Sequence, residues 1–198
     1  MITLLTAIMF AVTGFPFETG EPERVWHVMN ESRLAIHGNT NVNDFRCEVD
    51  RYYSADNLHL HSSHGTTYRF SENEIVISLM EFDCGRNLIT KDFRESLNAD
   101  RNPEMMISFL SLDRVPSDCP SAGGEDIAGR LEVSIAGVTK EIDIVFSAAG
   151  NGNGITYLNG KHDFLFSDFG LVPPTRMLGL ITVKNELEVT FDLVLEEQ

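Results

Sequence analysis

The sequence predicts an all-β protein whose antiparallel strands close into a barrel of about eight strands, and three observations carry that reading. Gly129 to Phe146, GRLEVSIAGVTKEIDIVF, has the pattern of a β-hairpin. Leu131, Val133 and Ile135 alternate with Glu132 and Ser134 on its first arm, and Ile142, Ile144 and Phe146 alternate with Glu141, Asp143 and Val145 on its second. Successive side chains of a strand point to opposite faces, so one face of this ribbon is wet and acidic and the other is an aliphatic wall. Glu186 to Glu196 repeats the logic, with Leu187, Val189, Phe191, Leu193 and Leu195 opposed to Glu186, Glu188, Thr190, Asp192 and Glu196. Strand signals also recur at short intervals, punctuated by turn formers. A two-layer sandwich filled by its own side chains is the competing arrangement.

In order, β-branched, aromatic or alternating runs predict strands at Val25–Met29, Ser32–His37, Phe45–Val49, Asn57–His61, Thr66–Phe70, Glu74–Phe82 and Met105–Asp113, then the hairpin, then Gly154–Leu158, His162–Phe166 and Leu178–Leu195. HGNTN, SENE, GVTK and AAGNGNG supply the turns, and Glu125 and Asp126 after SAGG read as a solvated loop. One stretch breaks the pattern: Ile89, Phe93 and Leu97 recur every four residues, predicting an amphipathic helix over Leu88–Ala99 with Thr90 as its cap and Asn102-Pro103 as its stop.

With 198 residues and 42% hydrophobic content, the chain can bury one full core, and no linker, repeat or low-complexity tract marks a second domain. Its 15 basic and 30 acidic residues leave a formal net charge of -15 with no basic cluster, which disfavours nucleic acid and anionic membrane surfaces as partners. The first seventeen residues, MITLLTAIMFAVTGFPF, carry no charge. They are short for a membrane span but fit the apolar part of a secretory signal, residues 1–14, cleaved after Gly14, with the folded domain at 23–198. Three cysteines, Cys47, Cys84 and Cys119, allow three single pairings. Cys47 with Cys84 is favoured because each lies beside a strand-like run, and the bond implies an oxidising compartment.

The segments WHVMNESRLAIHG, ITKDFRESLNADRNPEMMISF, GRLEVSIAGVTKEIDIVF and DFLFSDFGLVPP follow one another in an order that resembles the YceI-like family of polyisoprenoid-binding proteins. The likeness runs from Trp26 to Leu195, and the GVTK turn after Gly-Arg-Leu is its most specific element. At HGNTNVNDFRCEV the chain resembles a branch with Asn-Val-Asn, a phenylalanine and a cysteine, in which a second cysteine follows at FDCG, again pairing Cys47 with Cys84. The resemblance implies an extended eight-stranded antiparallel lipocalin-like barrel with one or two short helices. It further implies a periplasmic or secreted protein that is not an enzyme and that holds an isoprenoid-type lipid inside the barrel, with no other cofactor.

Such cargo suits the pattern physically. A strand of about eight residues spans roughly 27 Å, enough to sheath several isoprene units, and each buried CH₂ is worth about 0.8 kcal/mol. The inward positions expected to bind are Leu131, Val133, Ile135, Ile142, Ile144, Phe146, Leu187, Val189, Phe191 and Leu193, with Leu34, Ile36, Ile77, Leu79, Ile107 and Phe109 beside them. A barrel filled by its own side chains, acting as a structural or interaction module, is the alternative, and a homodimer is compatible with either.

Catalytic and metal motifs are weak. His59, His61 and His64 in HLHSSH offer two imidazoles on one strand face but need a further ligand, and an exposed polar edge accounts for them better, so no metal is expected. His37 and His162 are isolated. There is no GxSxG elbow, GNGNG is followed by no lysine-bearing helix start, and Cys119 lies next to Asp118, which works against an activated thiol.

Overall fold

A computed structural model of the chain describes residues 23–49, 51–52, 56–63, 67–71, 73–116 and 124–198. The proposed leader at 1–14, His64 and Cys119 lie outside the described residues. Twelve strands form: β1 Arg24–Val28, β2 Arg33–Thr40, β3 Asp44–Val49, β4 Asn57–Ser62, β5 Tyr68–Phe70, β6 Glu74–Ser78, β7 Glu104–Leu112, β8 Glu125–Ile135, β9 Val138–Gly150, β10 Ile155–Leu165, β11 Thr175–Arg176 and β12 Ile181–Glu197. Among the described residues the whole sheet has twelve strands, more than the expected barrel of eight needs. Hydrogen bonding runs β1-β4-β5-β7-β8-β9-β10-β12 and returns from β12 to β1, a closed antiparallel ring. The remaining strands are additions to that ring.

The extra strands arise because two ring members are long enough to take two partners along one edge. β12 pairs with β2 from Val183 to Asp192 and with β1 from Leu195 to Glu197, while its other edge pairs with β10. On β7, Ser111 and Leu112 pair with β5, and Glu104 to Ser108 pair with β6. The ring is thus closed at one end by β1, β4 and β5. At the other end β2 and β3 approach β6 from the opposite side, and there the ladder thins to a single bridge, Glu48 to Asp83. The Cys47–Cys84 disulfide, as expected from sequence, crosses that same seam, with 4.0 Å between the Cα atoms.

Several predicted boundaries move, each for a local reason. The strand expected to reach Phe82 ends at Ser78, whose hydroxyl accepts the Met80 N–H and starts a 3-10 turn, Leu79–Glu81. The two strands expected at Gly154–Leu158 and His162–Phe166 are one, β10, because Asn159, Gly160 and Lys161 continue the ladder with β12. The final strand starts at Ile181, since Met177 to Leu180 form a turn. Glu125 and Asp126 begin β8, paired with Ala148 and Ser147, and are not in a loop.

The helix, α1 Asn87–Ser96, packs Phe93 and the following Leu97 inward. Thr90 is not its cap. It lies within the first turn, buried, where its hydroxyl accepts the Cys84 N–H at 3.0 Å and donates to the Asp83 carboxylate at 3.3 Å. The side chain expected to start the helix instead ties it to the disulfide seam.

Inside the ring, alternation places Leu131, Val133, Ile135, Ile142, Ile144 and Phe146 in the core together with Leu187, Val189, Phe191, Leu193 and Leu195. Outside, Glu132 lies directly opposite Glu141, a pairing of like charge, and Arg130 offsets it by reaching both Glu141 and Asp143. Toward the β1–β4–β5 end the lumen is filled by a run of rings. Trp26, Phe70, Phe109 and Phe146 follow one another at centroid distances of 6.4, 5.3 and 6.1 Å.

Candidate functional site

Away from that aromatic fill, the core contains two small gaps. One, of about 20 Å³, is bounded by Val28, Val49, Tyr52, Ile75 and Ile77 on one side and Phe109 and Leu193 on the other. The second, of about 30 Å³, is bounded by Ile36, Met105, Val133, Ile135, Leu187 and Val189 under a cover of Phe164, Phe166, Phe169 and Leu171. Leu34, Ile107 and Phe191 line both and separate them. Gaps of this size have room for about one or two waters, and the second is lined by apolar residues throughout, so water has no partner there. Ser32 and Thr90 are buried polar residues, and Ser32 lines the first gap together with Arg33 and Tyr52. Ser32 exchanges hydrogen bonds with the backbone of Val194.

Of the expected binding positions, the structure brings Leu34, Ile36, Ile77, Ile107, Phe109, Val133, Ile135, Leu187, Val189, Phe191 and Leu193 to these gaps. Leu79, Leu131, Ile142, Ile144 and Phe146 are equally buried but border neither. Sequence reasoning missed the cover. After β10 the chain makes a 3-10 turn, Phe166–Phe169, ended by Gly170 in the left-handed conformation, φ 66°. Asp168 accepts the Leu165 N–H at 3.0 Å. Asn185, in the irregular stretch of β12, accepts the Ser167 N–H and donates to its hydroxyl, pinning the turn over the ring. The signal was the spacing of phenylalanines in DFLFSDFG, which strand alternation alone does not place on one side.

Beyond the cover lies a larger apolar groove of about 340 Å³, between α1, the β2–β3 turn and the β11–β12 hairpin. Phe45, Leu88, Ile89, Phe93, Met177 and Ile181 contribute to it, and Phe166 lines both this groove and the inner gap. One buried ring therefore separates the outside from the interior. Phe45 reaches the groove because it lies across Gly38, its cross-strand partner, where a Cβ would come within 2.1 Å of the ring.

Polar clusters lie on the outer face. His59 Nδ1 sits 2.7 Å and His61 Nε2 3.5 Å from the same oxygen of Glu23, and His61 also meets the Ser71 hydroxyl at 2.8 Å. The HLHSSH edge is thus engaged with an acidic neighbour, and among the described residues no group of three or more His, Cys, Asp or Glu side chains is arranged to hold a metal ion. Lys161 on β10 donates to Glu188 on β12, which holds the Glu188 carboxyl below the usual range and the Lys161 ammonium above its own. Arg130 is raised likewise, by its hydrogen bond to Asp143. None of these groups faces the core. No helix among the described residues is long and apolar enough to cross a membrane.

Comparison with known proteins places these features in a lineage. Search of curated proteins returned no match. Among solved structures, a polyisoprenoid binding domain from Saccharophagus degradans is similar with a TM-score of 0.60 at 14% identity, over 88% of this chain and 98% of that one. BcnA of Burkholderia cenocepacia is similar with a TM-score of 0.58, also at 14% identity, over 83% and 96%. A YCEI protein of Campylobacter jejuni follows with a TM-score of 0.51 at 15% identity, over 65% and 74%. At such identities the likeness is one of fold. The model of the YceI-like domain, however, matches the sequence itself over residues 40–195, and with the closed ring and its covered apolar core this chain belongs to the YceI-like family.

Proposed function

We propose that this protein binds an isoprenoid-type or similarly apolar lipid within its ring, without catalysis, in the periplasm or outside the cell. The observation that carries the reading is chemical. The gap beneath Phe166 is lined without a polar side chain, so a ligand there gains from leaving water and from nothing else. Groups able to act as acid, base or nucleophile lie outside that lining. The solved polyisoprenoid binding domain from Saccharophagus degradans, alike in fold, lends support, and the Cys47–Cys84 bond agrees with an oxidising compartment.

The gaps of about 20 and 30 Å³ are much smaller than a polyprenyl chain. Loading on this reading requires the cover at Phe164–Leu171 to move and the aliphatic side chains to repack around the cargo. The same volumes favour the second reading, a filled barrel serving as a structural or interaction module. Native mass spectrometry of protein purified from its producing cells, paired with solvent extraction, separates the two. A bound apolar lipid of defined mass is the expected result. Uniformly ligand-free protein that takes up neither a quinone nor a polyprenol from detergent solution would overturn the lipid reading in favour of the filled module.

A further inference from the structure

The hairpin joining β11 to β12 turns through Met177-Leu178-Gly179-Leu180, and its apolar side chains stand in solvent: Met177 is 66% exposed, Leu178 108% and Leu180 71%. Scattered apolar residues are ordinary on a surface, but these share one tip. The Asn41 side chain donates to the Leu180 carbonyl at 2.9 Å and accepts the Thr182 N–H at 3.1 Å, which holds the β2–β3 turn, with exposed Val42, against the hairpin. Exposed Leu88 borders the same groove as Met177. The result is a contiguous apolar prominence at the covered end of the ring.

Backbone and charge set this tip apart from the rest of the surface. Met177, Leu178 and Gly179 have φ of 53°, 56° and 89°, so two bulky residues in succession occupy the left-handed region that side chains with a Cβ disfavour. Strain of this kind is retained where it places side chains for a purpose. In a chain with 30 acidic residues, none occurs between Asp168 and Glu186, whereas Arg176 and Lys184 do. Arg176 is engaged by Asp92 and Glu95 of α1, and the hairpin itself brings no acidic side chain to the tip.

We propose that this tip docks the protein on a lipid bilayer, with Met177, Leu178 and Leu180 entering the boundary between headgroups and acyl chains. The partner is a membrane of low surface charge, because the formal net charge of -15 repels an anionic one and the contact gains only from desolvation. The groove leads from the tip to Phe166, at the cover of the interior. That continuity is a path for cargo and rests on the lipid-binding reading; the docking itself does not.

The test is flotation of the full chain with phosphatidylcholine vesicles and with phosphatidylglycerol vesicles. The wild type is compared with a Leu178→Asp, Leu180→Asp double variant and with Val145→Asp, a change at an exposed apolar residue on β9. The wild type is expected to float with phosphatidylcholine, the double variant to bind at least about tenfold more weakly and Val145→Asp to match the wild type. Binding to phosphatidylglycerol is expected to be weaker and to strengthen with added salt. No flotation of the wild type, equal flotation of the double variant, or a loss with Val145→Asp of similar size overturns the proposal. So does a dimer that the double variant dissolves without any change in vesicle binding, since the tip is then a self-association surface. Lipid uptake from detergent, measured on the same proteins, reports on the interior alone, so a failure of docking is told apart from a failure of cargo binding.

Discussion

Phe146 on β9 lies flat against Gly160, its cross-strand partner on β10, so closely that a Cβ at Gly160 would fall 2.7 Å from the ring and 2.9 Å from Ile144 Cδ1. Gly129, on the opposite neighbour β8 and in register with Ile144, also meets the ring, with a Cβ there 2.9 Å from it. Phe146 is fully buried and stacked on Phe109, so it cannot yield. Gly160→Ala and Gly129→Ala are therefore each expected to lower stability by about 1–3 kcal/mol through overpacking, measured by urea denaturation. Gly38→Ala makes the closer clash, 2.1 Å from Phe45, yet its ring is only half-buried and can swing toward solvent. It should cost less than about 1 kcal/mol. Equal losses at all three positions would show that the rings respond alike and that burial does not decide the outcome.

These glycines also explain what the sequence did and did not disclose. The hairpin at Gly129–Phe146 was legible because its alternation is long and each arm buries one face. Gly160 reads as a break between two strands, since glycine and asparagine ordinarily mark turns, whereas here it gives room to a ring from the next strand. No local pattern carries that information. The closed ring was legible, but the strands added beside it were not, because β7 and β12 each accept two partners along one edge. The inward wall was legible too, yet which of its members border space depends on packing. Ile142 and Val133 share a pattern, and only Val133 borders a gap.

The Cys47–Cys84 bond joins β3 to the segment after β6, where among the described residues one bridge, Glu48 to Asp83, is the only ladder pairing. It closes a loop of 37 residues in sequence separation, for which chain entropy gives about 4 kcal/mol. Reduction, or Cys47→Ser with Cys84→Ser, is expected to lower stability by up to that amount in denaturant titrations. Hydrogen exchange should locate the change, with β3 and the start of α1 losing protection and the β8–β9 hairpin retaining it. Uniform loss across the sheet would contradict the seam.

Lys161 and Glu188 form a cross-strand ion pair on the outer face, and their shifts have opposite consequences for pH. Hydrogen bonding to Lys161 lowers the Glu188 carboxyl, so its contribution to stability is present at neutral pH and disappears as pH falls through that lowered value. Lys161 is raised by the same bond, so its contribution is present at neutral pH and disappears as alkaline pH rises through the raised value. Both side chains remain substantially exposed, which keeps the effect small and sensitive to salt. In thermal melts, Glu188→Gln should be slightly less stable than wild type at pH 7, the difference vanishing in acid and shrinking with added salt. A difference that persists in acid would assign the loss to packing.

Phe191 stands between the two inner gaps, opposite Leu34 in register and bordering both spaces. Phe191→Ala should merge them into one cavity, lowering stability by about 3–5 kcal/mol because the surrounding ladders permit only partial collapse. If the interior is where apolar cargo lies, the enlarged cavity should accept a hydrophobic probe more tightly, and the probe should restore thermal stability in proportion to its occupancy. Leu131→Ala is the matched control, since Leu131 is equally buried and borders neither gap. It should destabilise by about 2–5 kcal/mol without gaining probe affinity. The comparison, read by fluorescence titration and melts of both variants, turns on that difference. Equal gains would mean that any loosening of the core admits the probe, and the space around Phe191 would lose its claim to be the binding site.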